Sequence, residues 1–204
     1  MATILKFPDV KKFGFKAVKK SKRVDLEKHG QLNLFSSPQK VAKVIQMKSD
    51  LSPFEQAMML DERGESSAKT IYRKAIEEND YVADAYCNLG ILESKEGNTG
   101  KALDCFAHSL SSDPRHFEAH FNLANLYLDE ENLKLAKLHY EAAREIQPDY
   151  ANLHFNLALV YAMLNQLEDS IQSLKRYKSL TTVSEHKSAD ELLRNLQLSV
   201  TVRN

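Results

Sequence analysis

Residues 117–150 read FEAHFNLANLYLDEENLKLAKLHYEAAREIQPDY, and this 34-residue text recurs on both sides of itself. Ala83–His116 precedes it and Ala151–Ser184 follows it. Position 7 of the three copies is Leu89, Leu123 and Leu157. Position 8 is Gly90, Ala124 and Ala158. Position 20 is Ala102, Ala136 and Ser170, and position 24 is Phe106, Tyr140 and Leu174. Pro114 and Pro148 stand at position 32 of the first two. A fixed period of this length predicts a solenoid of stacked helical hairpins.

The chemistry of the positions gives the same answer. Small residues at 8, 20 and 27 let two helices approach, and large ones at 4, 7, 11 and 24 fill the space between hairpins. At 100° per residue, positions 4, 7, 8 and 11 share one face of the first helix of each hairpin, its buried stripe. Gly64 and Gly97 fall in turns within hairpins. Asp113-Pro114 and Pro148-Asp149 end second helices. Ser52 with Glu55, and Ser188 with Glu191, read as capping boxes. The second opens a last helix, roughly 189–198, whose Leu192, Leu193 and Leu196 cover the open end of the stack.

These letters resemble the tetratricopeptide repeat family, which has an aromatic at 4, Leu at 7, Gly or Ala at 8, Tyr at 11, Ala at 20, an aromatic at 24, Ala at 27 and Pro at 32. Residues 117–150 fit best and depart at His120. Residues 83–116 depart at position 11, where Glu93 stands. Residues 151–184 carry Tyr177 where Ala belongs. A weaker first copy over about 50–82 has Ala57, Leu60, Ala68, Tyr72 and Ala75. The resemblance implies an all-α fold, a right-handed α-solenoid of antiparallel helix pairs with a capping helix. It also implies a protein-interaction scaffold or adaptor that binds a peptide or partner helix in a concave groove.

That groove is lined by positions 2, 6, 9 and 13 of each first helix. Position 6 is Asn88, Asn122 and Asn156. A carboxamide both donates and accepts, so such a ladder can grip an extended backbone whatever its sequence. Asn125 stands at position 9, Asp84 and Glu118 at position 2, and Asp129 at position 13. Phe121 and Phe155 at position 5 either flank the groove or pack between helices. Family members that take acidic chaperone tails use Lys and Arg at positions 2 and 6. Those are missing here, so a basic or mixed peptide with apolar anchors is expected.

The chain's formal charge is zero, yet it is divided. Residues 1–48 hold 12 Lys or Arg against 3 Asp or Glu, a net +9, and the remainder carries −9. This basic arm has no helical period and is expected to lack stable structure. Its lysine clusters, interleaved with Phe7, Phe13 and Phe15, suit nucleic acid. They also suit the acidic solenoid, with Asp84, Glu118 or Asp129 holding Lys11, Lys12, Lys19 or Lys20. Within the arm, Gln31-Leu32-Asn33-Leu34-Phe35 is similar to the peptide by which bacterial replication and repair proteins hold the sliding clamp. That resemblance implies Leu34 and Phe35 in an apolar pocket, with Gln31 bonded at its rim.

No secretory signal or membrane span is read, and the expected location is cytoplasmic, in a bacterium if the clamp motif holds. Cys87 and Cys105 read as reduced helix cysteines. His116 and His120 lack a third ligand, and His120 and His154 occupy an aromatic's place in the core. No nucleophile, base and orienter share a spacing, and no phosphate loop is present. A non-enzymatic protein without metal, cofactor or small-molecule substrate is expected.

Overall fold

A computed structural model describes residues 12–19 and 51–201, with side chains to Leu198. The described residues form four antiparallel helix pairs and a final helix. The pairs are α1 (Pro53–Glu62) with α2 (Ala68–Glu77), α3 (Val82–Lys95) with α4 (Thr99–Ser112), α5 (Phe117–Asp129) with α6 (Leu133–Ile146), and α7 (Ala151–Met163) with α8 (Leu167–Leu180). A single 3₁₀ turn, Val183–Glu185, leads into α9 (Lys187–Thr201). Each pair packs internally and against the next, so the architecture is an α-solenoid.

All four pairs turn in the same way. The first helix ends in a left-handed residue, at Gly64, Gly97, Glu131 and Asn165, with φ of 70°, 79°, 57° and 62°. The next residue's N–H reaches back to close the helix: Glu65 to Leu60 O, Asn98 to Glu93 O, Asn132 to Tyr127 O and Gln166 to Tyr161 O, all at 2.8–2.9 Å. This is the Schellman arrangement, in which glycine is the unstrained residue. Two turns use it; Glu131 and Asn165 occupy the other two.

The small positions are buried between helices as their period requires: Ala57, Ala68, Ala75, Ala102, Ala124, Ala136, Ala143 and Ala158 are all at most 1 % exposed. Glu93, standing in place of a tyrosine, is buried too. Its carboxylate is held by Lys69 at 2.7 Å and by Asn98 at 2.9 Å. Burial pushes this carboxyl up, but the Lys69 and Asn98 bonds outweigh it and hold it below the usual range.

Ser52 and Glu55 form the expected capping box on α1. The second box lies elsewhere. Helix α9 begins at Lys187, so Ser188 is already helical, and the reciprocal bonds join Thr182 and Glu185 at the preceding turn. Leu192 and Leu196 are wholly buried against α7 and α8, with Leu193 beside them, and close the C-terminal end. His116 is the N-cap of α5: its Nδ1 accepts from the Ala119 N–H at 3.1 Å. Among the described residues, no helix is long and apolar enough to cross a membrane.

The arm is described at residues 12–19. This part of the arm has no helix or sheet pairing, yet it lies extended along the inner face of the solenoid, with Val18 buried.

Candidate functional site: a groove holding an extended segment

The inner face is built by α3, α5 and α7, each of which presents its position-6 asparagine inward. Every one of the three carboxamides grips both backbone groups of one arm residue. The Phe13 N–H donates to Asn156 Oδ1 at 2.7 Å, and Asn156 Nδ2 donates to Phe13 O at 2.8 Å. Asn122 does the same for Lys16 at 2.7 and 2.9 Å. Asn88 does it for Val18 at 2.9 and 3.2 Å. The segment therefore runs opposite to the order of the repeats. It advances five residues over two repeat steps, roughly 8 Å per repeat at the rise of an extended chain. That matches the spacing of packed helices.

The amides are themselves fixed from behind. Asn88 Nδ2 also donates to the Tyr72 hydroxyl, and Asn156 Nδ2 to the Tyr140 hydroxyl, both at 3.2 Å. Position 24 of one repeat thus orients position 6 of the next. Phe106 occupies that place in the second repeat and has no hydroxyl. Asn122 meets the Cys87 sulfur instead, at 3.4 Å. Both cysteines are free, and burial pushes both thiols up, Cys105 to about 11.

Gly14, Ala17 and Lys19 of the segment are exposed, and the others turn toward the groove. Phe13 meets Phe155 edge-on, ring centroids 5.3 Å apart, and Tyr177 at 5.9 Å. Phe15 stacks on Phe106 at 6.3 Å. Lys16 sits between two rings, its Nζ 4.3 Å from the centroid of Phe117 and 4.4 Å from that of Tyr150, with Glu118 at 3.1 Å and Gln147 at 3.3 Å. Two aromatic faces and one carboxylate make a socket for a cation. Lys12 pairs with Asp129 at 2.8 Å and donates to Asn125 O. Burial lowers the Lys12 ammonium pKa, against the pull of Asp129. Past Val18 the groove continues as a cleft of about 90 Å³ lined by Met58, Asp61, Glu62 and Tyr72.

The residues singled out from the sequence divide. Asn88, Asn122, Asn156, Glu118, Asp129 and Phe155 all touch the segment. Asn125 does so only through its backbone oxygen. Its Oδ1 accepts from the Tyr140 hydroxyl and from Asn156 Nδ2, while its Nδ2 is buried without a partner. Asp84 is turned away by His116, whose Nε2 it meets at 3.0 Å. Phe121 is core: it is wholly buried among Phe117, Tyr140 and Tyr150. Glu118 is held by Lys16, which was not among the lysines expected there. Lys11 and Lys20, and the clamp-like Gln31, Leu32, Leu34 and Phe35, lie outside the described residues. No expectation from the sequence places Phe117, Tyr150 or Tyr177 at the groove. Two of them left a signal, because Phe117 stands where the other copies have Ala83 and Ala151, and Tyr177 where an alanine belongs. Among the described residues, no group of three or more His, Cys, Asp or Glu could hold a metal ion.

Comparison with known proteins agrees with this architecture. Residues 87–151 and 123–182 match the family model described as Tetratricopeptide repeat, and the fold resembles the solenoids built from such repeats. The chain is 29 % identical to mouse Tetratricopeptide repeat protein 8 and 27 % identical to the human protein, over 121 residues and 59 % of its length. It spans less than a quarter of those relatives, 23 % and 22 %. Among solved structures it is similar to MamA AMB-1, with TM-score 0.61, 19 % identity, and 72 % of this chain and 81 % of that one covered. A thermophilic TPR protein of Thermus thermophilus matches with TM-score 0.55, 26 % identity and the same coverage. The first TPR of Spaghetti (RPAP3), bound to the HSP90 peptide SRMEEVD, matches with TM-score 0.54 and 19 % identity, covering 58 % of this chain and 93 % of that one.

Proposed function

We propose that this protein is an adaptor whose concave groove captures an extended peptide by its backbone. The observation that carries the reading is the triple clamp. Asn88, Asn122 and Asn156 recur every 34 residues, and each bonds the N–H and C=O of one residue of an extended chain. Backbone capture of this kind supplies affinity, and neighbouring pockets supply selectivity. The groove walls offer carboxylates at Glu118 and Asp129 and aromatic rings at Phe117, Tyr150, Phe155 and Tyr177. That chemistry suits a basic or mixed peptide with aromatic anchors, and it disfavours an acidic tail.

Displayed random peptides of about twelve residues test this. The bait is the full chain carrying Phe13→Ala, Phe15→Ala and Val18→Ala, which frees the groove. Selected peptides should lose binding when Asn122→Ala and Asn156→Ala are added. Selection that yields no asparagine-dependent peptide overturns the proposal.

A further inference from the structure

Residues 12–19 meet the groove through contacts particular to each side chain. Taking the groove as a peptide site, we propose that it selects the pattern Lys-Phe-x-Phe-Lys-x-Val, that residues 12–19 fill it as an intramolecular competitor, and that a partner enters by presenting a basic, aromatic segment of the same pattern.

Each specified letter has its own receptor. The first lysine meets Asp129, and Phe13 meets the edge of Phe155 and the ring of Tyr177. Phe15 lies on Phe106. Lys16 fills the socket of Phe117, Tyr150 and Glu118. Val18 is buried beside Asn88. The unspecified letters are Gly14 and Ala17, which face solvent. A β-carbon added at Gly14 would meet nothing within 4 Å.

The segment is also built to leave. Its backbone bonds run to side-chain amides, and no helix of the solenoid closes its own hydrogen bonds through it. The hairpins pack on each other mainly through apolar residues of their own, with Val18 and Phe15 joining one cluster and Phe13 another. A groove emptied of the segment exposes carboxamides and carboxylates, which water can satisfy, and the ring faces of Phe106, Phe155 and Tyr177, which an incoming peptide must cover again. While tethered, the segment competes at an effective concentration on the order of millimolar. Against an intrinsic Kd of about 10 μM, this weakens an outside peptide roughly a hundredfold.

The probe is a fluorescein-labelled peptide spanning Val10–Lys20. It should bind the Phe13→Ala, Phe15→Ala, Val18→Ala full chain at least tenfold more tightly than the wild-type chain, and Lys16→Glu in the probe should abolish binding. Equal or undetectable binding to both chains, with helical circular dichroism intact, overturns the proposal. A second measurement covers a variant that fails to fold. A protease site inserted between Ser36 and Ser37 of the otherwise wild-type chain is cut, and excess probe is added. Replacement of the cut arm by the probe without loss of helix supports exchange. Collapse of the helices on displacement makes the segment a permanent part of the fold and overturns it. A wild-type dimer in light scattering that dissociates when the arm is cut overturns the intramolecular assignment in favour of exchange between copies. Asparagine-dependent peptides selected without the pattern would leave peptide capture standing and overturn the pattern alone.

Discussion

A β-carbon at Gly90 would lie 2.8 Å from the ring of Phe106. The absence of that carbon lets α3 and α4 close over a phenylalanine that is itself wholly buried. The same ring carries Phe15 of the arm. The glycine therefore sets the position of a ring that forms part of the groove floor.

Replacing Gly90 by Ala should accordingly destabilise the protein, although alanine is the better helix former by about 1 kcal/mol. Overpacking of a filled core typically costs about 1–3 kcal/mol. Thermal unfolding measures the loss, and faster proteolysis within residues 12–19 should accompany it. A raised melting temperature would mean that the Phe106 ring yields without cost.

Glu131 should gain from becoming glycine. It holds φ 57° in a turn where Gly64 and Gly97 serve the equivalent hairpins. Left-handed backbone costs a non-glycine residue roughly 1–2 kcal/mol. Glycine forfeits part of that through its freedom in the unfolded chain, about 0.5–1 kcal/mol. The net expectation for Glu131→Gly is a small rise in unfolding free energy in denaturant titration, and a fall would contradict it.

The ladder gives a third expectation. Asn122 and Asn156 are 0 % exposed because the arm lies over them. Alanine at both removes four hydrogen bonds to the backbone of Phe13 and Lys16, each worth about 1 kcal/mol net. Docking of residues 12–19 should weaken by a few kcal/mol while the helices persist. Hydrogen exchange at the Phe13 and Lys16 amides should speed up sharply, with the circular dichroism unchanged. Protection that survives the double substitution would show that side chains alone hold the segment.

Acid should act first through a histidine pair. His120 Nδ1 and His139 Nδ1 stand 3.0 Å apart, and the His139 ring stacks on Tyr127. Burial, with His120 adding to it, lowers the His139 pKa to about 4, and burial lowers His120 as well. The unfolded chain therefore takes up protons first, and stability falls as pH drops from about 6.5 toward 4. His139→Gln should flatten the pH dependence of the melting temperature across that window. Glu93 acts lower down. Its folded pKa lies below 4.5, so its contribution is complete above that value and is lost as pH falls through the depressed one. A slope between pH 6.5 and 4 that His139→Gln leaves unchanged would assign the effect elsewhere.

Much of this molecule could be read from its letters, for a physical reason. Hairpin packing repeats, so its constraints repeat: a small residue at position 8 recurs as Gly90, Ala124 and Ala158, and the ladder recurs at Asn88, Asn122 and Asn156. The pockets that flank the ladder do not repeat. The Lys16 socket uses Phe117 at the start of one repeat and Tyr150 at its end, and each appears once. Asp84 looks equivalent to Glu118 by position, but the N-cap His116 takes it. The occupant was harder still. Residues 12–19 have no partner strand and no helical stripe, and their conformation is dictated by amides at least seventy residues away. Charge alone could suggest that lysines meet carboxylates. It could not choose Lys12 and Lys16 over their neighbours.

A solenoid ordinarily communicates only between adjacent units, so it can fray from either end while the middle survives. Here one strand touches three successive repeats through contacts 70, 106 and 143 residues apart in sequence. While it is seated, loosening any one hairpin also strains its grip on the others. Melting should then be a single sharp event. Once the strand is displaced, the same four hairpins revert to a row of near neighbours and should melt over a broader range. Occupancy of the groove would thus be legible in the width of the transition as well as in its midpoint.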